Sequence, residues 1–457
     1  MELHERLRHH QQDHLLFVAE QLQAQERQRF FEQLAELDFQ LLKELYGRRH
    51  HQKTLPDLAR IQPLPVQPAN AHAAVALPLG EEALHRGDVA VLMVAGGQGT
   101  RLRCDQPKGM FEIGSVSNKT LFQIHAEKVL ARNRRHATRI PFLIMTSRAT
   151  HAETVDFFGR QHFFGLREDD VYFFSQGAMP ALDLATGRLL LEAPGRLALS
   201  PDGHGGTLAA LHSAGLFDIL RNRGVRHIFY FQVDNPLVKV ADPLFLGQHI
   251  HARAEVSSKV TPKLSPKDKV GNFVLSDGRC TMIEYIHLPA ELAAKQDAGG
   301  QLLFRAGNPA IHVFNLEFLE RQHEHKNPLP FHLAHKKLKH WCHEAKTMVE
   351  PEKENALKFE KFIFDVLPRA ERWLAVETTH REEFAPLKNM TGPDSPDTVR
   401  KAMSDLHADW LEQAGVSVPH RERHAVEISP LFALDAEELA ERIITNWTVP
   451  GSMYLTK

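Results

Sequence analysis

The sequence is poor in cysteine and in long apolar runs, and each shortage excludes a class of protein. Its three cysteines, Cys104, Cys280 and Cys342, are far apart and odd in number. They therefore argue against a disulfide framework and favour a reducing compartment. No apolar run reaches the roughly 18 residues that a membrane span needs, and the first residues form no apolar signal core. We expect a cytoplasmic protein that does not enter a membrane.

Net charge is also scarce. The formal charge is −2 over 457 residues, so electrostatics gives no reason to expect binding to nucleic acid or to an anionic membrane surface. Apolar residues make up 43% of the chain and charged residues 25%, which is typical of globular proteins. A chain of this length buries a large core and is expected to hold two or three domains.

A glycine-rich loop follows a short apolar run. Residues 88–94 predict a buried parallel strand, because the run after Asp88 is apolar and partly β-branched. Gly96, Gly97 and Gly99 come next, with Thr100 after them. Because glycine has no Cβ, backbone N–H groups in such a loop approach a ligand closely and form a cradle for anions. A tight strand-to-helix turn without a ligand is the alternative interpretation.

Two cations favour the anion cradle over the simple turn. Arg101 offers a planar guanidinium and Lys108 a mobile ammonium, both suited to phosphate oxygens. The general nucleotide motifs do not fit: the dinucleotide fingerprint lacks its third glycine, where Leu102 stands, and the spacing of a Walker loop is absent. The loop therefore predicts a polyphosphate site, and a nicotinamide-dependent dehydrogenase is a weaker alternative.

Two further segments carry chemistry. Residues 200–206 form a second glycine loop, with Gly203 and His204, before a predicted helix. Asp234 follows the apolar run 226–233. Ligands of open α/β sheets bind at the carboxyl ends of strands, so an aspartate there is well placed to hold Mg²⁺ against phosphate oxygens. A turn or helix-capping aspartate is the alternative.

These segments resemble those of a known family, the UTP-dependent sugar-1-phosphate uridylyltransferases of the eukaryotic UDP-N-acetylhexosamine pyrophosphorylase type. The similar segments include residues 95–102, 107–110 and 233–243, and the resemblance extends from residue 12 to residue 431. It implies an α/β fold with a Rossmann-like, GT-A-like nucleotidyltransferase sheet that is mixed and has helices on both faces. A helical N-terminal segment and a small C-terminal domain complete the expected fold.

Domain boundaries follow from pattern and resemblance together. Alternating strand and helix patterns predict the α/β domain. We predict an N-terminal helical segment with its linker over residues 1–78, a catalytic nucleotidyltransferase domain over 79–380 and a small C-terminal domain over 381–457. Residues 12–47 show apolar spacings of three and four, which predict two amphipathic helices. Residues 62–70, rich in proline, are expected to be extended.

The resemblance also implies roles for individual residues. Gly96, Gly97, Gly99 and Thr100 would bind the nucleotide, with Arg101 and Lys108 on its phosphates and Mg²⁺ on Asp234. The other implied contacts are with the uracil base (Gln176, Gly203, His204), the sugar (Gly271, Glu284, Asn308) and the phosphates (Lys388). Four positions depart from the family pattern: His204 replaces an asparagine, Arg103 a glycine, Pro309 an apolar residue and Ile311 a second asparagine.

The implied reaction uses UTP and a sugar 1-phosphate and releases pyrophosphate and a UDP-sugar by Mg²⁺-assisted in-line displacement. N-acetylglucosamine 1-phosphate is the favoured acceptor. A glucose 1-phosphate or broad-specificity enzyme remains an alternative, as does a non-catalytic regulator that binds nucleotide sugars. We expect a monomer or a weak homo-oligomer. Residues 323–343 are rich in histidine but lack the compact paired spacing of a zinc site, so zinc is a minor alternative.

Overall fold

A computed structural model describes residues 2–50 and 56–456. The fold is α/β with a large mixed sheet and many helices, as predicted. The described chain forms two compact units. The first comprises residues 2–50, Gln176–Thr207 and Leu329–Ile363, and the second comprises residues 56–175, Leu208–Pro328 and 364–456. The boundaries of the three predicted domains remain predictions, and the division into units falls at other positions.

The α-helices are distributed along the whole described chain. They are α1 (Leu3–His9), α2 (His14–Glu20), α3 (Ala24–Ala35), α4 (Phe39–Gly47), α5 (Ala73–Arg86), α6 (Leu121–Arg135), α7 (His151–Arg160), α8 (Thr207–Ser213), α9 (Leu216–Asn222), α10 (Pro243–His251), α11 (Ala290–Ala293), α12 (Leu316–His323), α13 (His380–Glu383), α14 (Pro396–Gln413) and α15 (Ala436–Arg442).

The strands are mostly short outside the large sheet. They are β1 (Gln62–Pro63), β2 (Val89–Val94), β3 (Phe142–Thr146), β4 (Val171–Ser175), β5 (Ala178–Pro180), β6 (Leu182–Asp183), β7 (Leu191–Ala193), β8 (Arg196–Leu197), β9 (Leu199–Pro201), β10 (His227–Gln232), β11 (Val256–Pro262), β12 (Asn272–Ser276), β13 (Arg279–Ile283), β14 (Ala306–Gly307), β15 (His312–Asn315), β16 (His332–Lys336), β17 (His340–Cys342), β18 (Thr347–Val349), β19 (Ala356–Glu360), β20 (Trp373–Glu377), β21 (Val426–Ile428) and β22 (Met453–Leu455).

The second unit is built on the large sheet, whose main path runs β1-β12-β14-β11-β15-β10-β2-β3-β4. β10, β2, β3 and β4 are parallel neighbours, whereas β15 runs antiparallel to both β10 and β11. β2 lies between two parallel strands, and all but its last residue are buried. A strand covered on both faces needs a continuous apolar run, which is the pattern that the sequence shows there.

The N-terminal prediction is wrong in its number of helices. The range 12–47 contains three helices, α2, α3 and α4, instead of two. The apolar spacing from Phe30 to Leu45 continues across the break between α3 and α4. Asp38 starts the new helix there, because its side chain accepts a hydrogen bond from the Leu41 backbone N–H at 2.9 Å. Spacing alone does not show such a break.

The proline-rich segment after residue 61 is extended, as predicted, and it also joins the sheet. Gln62 and Pro63 pair with β12, and Gln67 forms a bridge with Val376 of β20. Proline cannot donate to a ladder, so its place at the edge of a sheet is the usual one.

Buried histidines make stability sensitive to mild acid. Burial lowers the pKa of His14 and of His407 to about 4, and that of His125 and of His249 to about 3. In the unfolded chain a histidine takes up its proton near about pH 6.5. The unfolded state therefore binds more protons than the folded state below that pH, and the folded state loses stability as pH falls.

We expect the urea midpoint to fall progressively as pH is lowered from 7.5 to 5. In His125→Gln the decline should be shallower, because one of the histidines with a lowered pKa is gone. His335→Gln, at an exposed position, is the matched control and should keep the wild-type slope. A wild-type midpoint that does not change over this range would contradict the expectation.

Candidate active site

The candidate site begins where two central strands end. β2 and β10 are parallel neighbours, with Val94 opposite Gln232, and the Val233 N–H donates to the Val94 carbonyl at 3.0 Å. The glycine loop follows β2, and Asp234 follows β10 two residues after its end. Both therefore leave the same carboxyl edge of the sheet, which is where ligands of open α/β sheets bind.

The glycine loop folds back on itself. The Gly99 N–H donates to the Gln106 carbonyl at 3.1 Å, and the Lys108 N–H donates to the Gly97 carbonyl at 3.1 Å. Gly109 lies against Phe122, and a Cβ at Gly109 would come within 2.2 Å of that ring. The loop therefore returns Lys108 to the start of the glycine run and requires glycine at 109.

Packing does not explain the glycine at position 97. A Cβ at Gly97 would meet no atom within 4 Å, and Gly97 and Gln98 are exposed. Thr100 and Arg101 are exposed as well. The loop thus presents backbone and a guanidinium to the surroundings, as a site for an anion requires.

Arg103, which replaces a glycine of the family pattern, has a strained backbone conformation. Its φ is 53° and its ψ is 34°, in the left-handed region. For a residue with a Cβ this conformation costs about 1–2 kcal/mol, whereas glycine adopts it freely at an entropic cost of about 0.5–1 kcal/mol. The guanidinium of Arg103 is exposed, so a phosphate group can still reach it.

Arg103→Gly is expected to raise the free energy of unfolding by about 0.5 kcal/mol, the difference between the relieved strain and the added chain entropy. Urea unfolding measures this gain. Arg103→Ala removes the charge and keeps the strain, so it should show no gain. A rise in KM for UTP in both variants would indicate a phosphate contact. Arg103→Gly less stable than the wild type would contradict the strain argument.

Lys108 and Asp234 meet at the centre of the candidate site. Lys108 Nζ donates to Asp234 Oδ2 at 3.3 Å and to the Leu387 carbonyl at 3.3 Å. The side chains of Lys108 and Asp234 are 15% and 13% exposed, so both remain open to a small ligand. The Leu387 N–H in turn donates to the Asp234 carbonyl at 2.8 Å. Three distant parts of the sequence therefore converge here.

The segment that carries Lys388 is fixed by Asn235. The Asn235 carboxamide donates from Nδ2 to the Glu383 carbonyl at 2.6 Å, and its Oδ1 accepts from the Ala385 N–H at 3.1 Å. The Lys388 N–H donates to the Asp394 carbonyl at 2.8 Å. The side chain one residue after Asp234 thus sets the path of the backbone that leads to Lys388.

A network of buried charged side chains includes Glu383, which lies in the segment that leads to Lys388. Lys259 Nζ donates to Glu383 Oε2 and to Asp242 Oδ2, the latter at 2.8 Å. Glu383 Oε2 also accepts from the Thr378 hydroxyl at 2.7 Å. Burial alone would raise the pKa of Asp242, but the neighbouring ammonium groups of Lys259 and Lys239 outweigh it and lower that pKa. The buried carboxylates of Asp242 and Glu383 are therefore both paired with the ammonium group of Lys259.

A cavity of about 220 Å³ lies beside Asp234. Five of the predicted site residues line it together: Asp234, Gly271, Glu284, Asn308 and Lys388. Ligand cavities of drug size are usually about 300–1,000 Å³, so this one suits a ligand of monosaccharide size. The side chains around it include two phenylalanines, Phe364 and Phe384. The predicted sugar and metal residues are thus brought to one place.

Backbone geometry accounts for the glycine and the asparagine of this cavity. A Cβ at Gly271 would lie 2.7 Å from the sulfur of Met282. The Asn308 N–H donates to the Gly271 carbonyl at 2.9 Å, and Asn308 Oδ1 accepts from the Ala310 N–H at 2.8 Å. The carboxamide is therefore held with its Oδ1 engaged, which leaves its Nδ2 as the donor to offer a ligand.

Sequence reasoning missed Lys269, which also lines the cavity. It lies directly before the Val270–Gly271 pair and adds an exposed ammonium. The signal was present, because a cation adjoined a predicted sugar element, but an exposed lysine in a loop is ordinarily only solvated.

The predicted base-binding residues belong to the first unit, whereas the other predicted residues belong to the second. Gly203 has φ 85°, and a Cβ there would lie 2.4 Å from the Lys361 carbonyl oxygen, so only glycine fits. His204 Nδ1 accepts from the Ile363 N–H at 3.2 Å, and its ring stacks on Phe362. With Nδ1 as acceptor, the proton lies on Nε2. Gln176 is buried.

Residues 2–50 and 56–456 contain no group of three or more His, Cys, Asp or Glu side chains that would hold a metal ion. The histidine-rich residues 323–343 lie within this range.

The match to a protein family decides the identification. The model of the UTP–glucose-1-phosphate uridylyltransferase family, UDPGP, matches residues 38–440. The chain belongs to this family. The predicted resemblance and the predicted enzyme class, a uridylyltransferase, are thereby confirmed.

Individual members of the family match over most of their length. The UDP-N-acetylglucosamine pyrophosphorylase of Saccharomyces cerevisiae is 37% identical over 371 residues, covering 79% of this chain and 77% of that protein. The mouse UDP-N-acetylhexosamine pyrophosphorylase-like protein 1 is 36% identical over 94% of this chain and 92% of that protein. The crystal structure of the Trypanosoma brucei UDP-N-acetylglucosamine pyrophosphorylase is 28% identical, with a TM-score of 0.83 over 96% of this chain and 95% of that one.

Across residues 2–50 and 56–456, none of the helices of this uridylyltransferase combines the length and the apolar character needed to cross a membrane.

Proposed function

We propose that this uridylyltransferase transfers UMP from UTP to N-acetylglucosamine 1-phosphate, forming UDP-N-acetylglucosamine and pyrophosphate. One observation carries the proposal: Lys108 contacts Asp234 beside a cavity lined by Gly271, Glu284 and Asn308. A phosphate-stabilising cation, a candidate metal ligand and sugar-sized space with polar walls are the parts that such a transfer needs.

The proposed reaction requires no protein nucleophile. An oxygen of the sugar 1-phosphate attacks the α-phosphorus of UTP, and the bond to the pyrophosphate oxygen breaks in line. Both reactants are anions, so neutralising their repulsion is the main task. We assign the β and γ phosphates to the N–H groups of Gly96, Gly97, Gly99 and Thr100 together with Arg101. Lys108 would stabilise charge at the α-phosphate and Lys388 the phosphate of the sugar.

Asp234 is the residue that we assign to Mg²⁺. This ion usually binds one or two carboxylates and fills its other positions with water and substrate phosphates. A single aspartate, with no other protein ligands around it, is therefore sufficient for Mg²⁺. Asp234 would hold the ion beside Lys108, where its positive charge would offset the charge of the reacting phosphates. Lys108, at 3.3 Å from the same carboxylate, would then be shared between Asp234 and the phosphates.

The choice of sugar rests on the relatives and on the cavity. The yeast and Trypanosoma brucei proteins are named for UDP-N-acetylglucosamine, and Glu284 and Asn308 supply an acceptor and a donor for sugar hydroxyl or acetamido groups. A glucose 1-phosphate or broad-specificity enzyme is the second candidate. It is favoured by Pro309 and Ile311, which replace an apolar residue and an asparagine of the family pattern.

Three further proposals concern the uracil-binding residues, the cellular location and the oligomeric state. We assign the uracil to Gln176, Gly203 and His204 on the resemblance, with Nε2 of His204 as the donor. A cytoplasmic location rests on the three free cysteines. We expect a monomer or a weak homo-oligomer.

Pyrophosphate release with Mg²⁺ and UTP tests the substrate. The purified enzyme is given N-acetylglucosamine 1-phosphate, N-acetylgalactosamine 1-phosphate or glucose 1-phosphate at equal concentration, and kcat/KM is compared. The largest value is expected with N-acetylglucosamine 1-phosphate. A larger value with glucose 1-phosphate would overturn the sugar assignment. If no pyrophosphate were released with any of the three sugar phosphates although UTP binding was measurable, the non-catalytic regulator would be favoured.

A further inference from the structure

A separate cavity of the second unit contains cations that the proposed reaction does not use. It has a volume of about 40 Å³ and lies between α6, α14 and residues 236–240, the segment that follows Asp234. Most of its walls are apolar, among them Leu237, Met403 and Trp410. Lys128 and Arg132 of α6 line it as well, and a cationic side chain in such a setting needs a polar partner.

Lys128 and Arg132 bind backbone carbonyls of the segment beyond Asp234. Lys128 Nζ donates to the carbonyls of Pro236 and Val238 at 2.5 and 2.8 Å. Arg132 Nε donates to the Val240 carbonyl at 3.2 Å. Arg132 is 3% exposed, and its Nη1 is buried with no hydrogen-bond partner among the described residues. A buried guanidinium N–H without an acceptor is costly, so this atom has capacity for one more ligand.

Carboxylates near these cations are engaged elsewhere. Within residues 2–50 and 56–456, neither Lys128 nor Arg132 has a carboxylate within 4.0 Å. The three carboxylates that act on Arg132 from further away each pair with another side chain: Asp242 with Lys259, Asp435 with Arg135, and Glu81 with His136.

The acidic and histidine side chains of the cavity wall do not supply the missing charge either. Glu427 accepts from the N–H groups of Val116 and Ser117 at 2.6 and 2.8 Å, and Glu382 pairs with Lys239 at 3.5 Å. His407 is neutral at pH 7, because burial lowers its pKa to about 4. Its Nδ1 accepts from a backbone N–H, which places the proton on Nε2. Burial lowers the pKa of Lys128 to about 7, so the firm cation of this wall is Arg132, whose Nη1 lacks an acceptor among the described residues. An anion beside Lys128 would favour its charged form.

We propose that this cavity is a binding site for a small oxyanion, such as inorganic phosphate or sulfate, with Arg132 and Lys128 as its ligands. On the same measure of volume, one water needs about 10–15 Å³, so the cavity admits a few oxygen-sized atoms and excludes a nucleotide. Arg132 would donate a hydrogen bond to the anion from Nη1. Lys128 would interact with it through its ammonium group, which also binds the carbonyls of Pro236 and Val238.

Sulfate binding is measured with the full-length enzyme saturated with UTP and Mg²⁺, so that the glycine loop is already occupied. Thermal unfolding is compared in sodium sulfate and in sodium chloride of equal ionic strength. At ten times its Kd, sulfate should raise the wild-type Tm by about 2 °C. Arg132→Gln and Lys128→Met should lose this rise. Arg134→Gln, on an exposed position of the same helix, is the matched control and should keep it.

A crystal soaked in selenate gives a second readout that does not depend on the variants folding. An anomalous peak beside the Arg132 guanidinium is expected in the wild type. The proposal is overturned by a sulfate effect equal in wild type and Arg132→Gln, by no effect above that of chloride, or by a soaked crystal without a peak at Arg132.

Discussion

Lys108→Met is expected to lower kcat for UDP-sugar formation by about a hundredfold or more, the usual cost of removing one preorganised donor to transition-state charge. Lys108 Nζ lies 3.3 Å from both Asp234 Oδ2 and the Leu387 carbonyl, so its ammonium is fixed before the substrates bind. Methionine keeps most of the side-chain volume and removes the charge. KM for UTP should change less than kcat, because the charge at the α-phosphorus develops in the transition state.

Two companion variants test whether the loss is specific. Lys108→Arg keeps the charge in a different shape and should recover part of the rate. Lys267→Met removes an exposed lysine from a loop of the same unit and should leave kcat unchanged. Near-wild-type turnover in Lys108→Met, with the protein folded, would show that the assigned role of Lys108 is wrong.

Asp234→Asn is expected to lower kcat/KM by about a hundredfold or more and to raise the Mg²⁺ concentration needed for half-maximal rate. The carboxamide occupies the same space but loses the negative charge that attracts the ion. Because Lys108 contacts the same carboxylate, the double variant with Lys108→Met should show less than the summed loss of the two single variants.

Asp105→Asn is the matched control for the Asp234 substitution. Asp105 is an exposed aspartate of the same glycine loop, so its replacement changes the charge near the site without touching Asp234. It should leave the Mg²⁺ dependence unaltered. If Asp234→Asn also kept the wild-type Mg²⁺ dependence, the metal assignment would be contradicted.

Local patterns near the site allowed much of the fold to be predicted. The apolar run that became β2 is buried on both faces, so its composition and its environment agree. The glycine loop and Asp234 then lie at one edge, because their strands are parallel neighbours. Such predictions succeed where a short segment is itself sufficient to determine the structure.

Features that depend on contacts between distant segments could not be predicted from the sequence. The antiparallel β15 is set by its pairing with β10 and β11, which no local spacing reveals. Asn235 was not predicted to position the Lys388 segment, because its partners lie about 150 residues away, at Glu383 and Ala385. The break before α4 depended on one capping aspartate within a continuous apolar spacing.

An isotope experiment tests the central claim most directly. N-acetylglucosamine 1-phosphate labelled with ¹⁸O in the non-bridging oxygens of its phosphate is incubated with UTP, Mg²⁺ and the enzyme, and both products are analysed by mass spectrometry. Attack of the sugar phosphate on the α-phosphorus of UTP predicts that all the label appears in UDP-N-acetylglucosamine and none in pyrophosphate. Label in the pyrophosphate, or no UDP-sugar at all, would contradict the account.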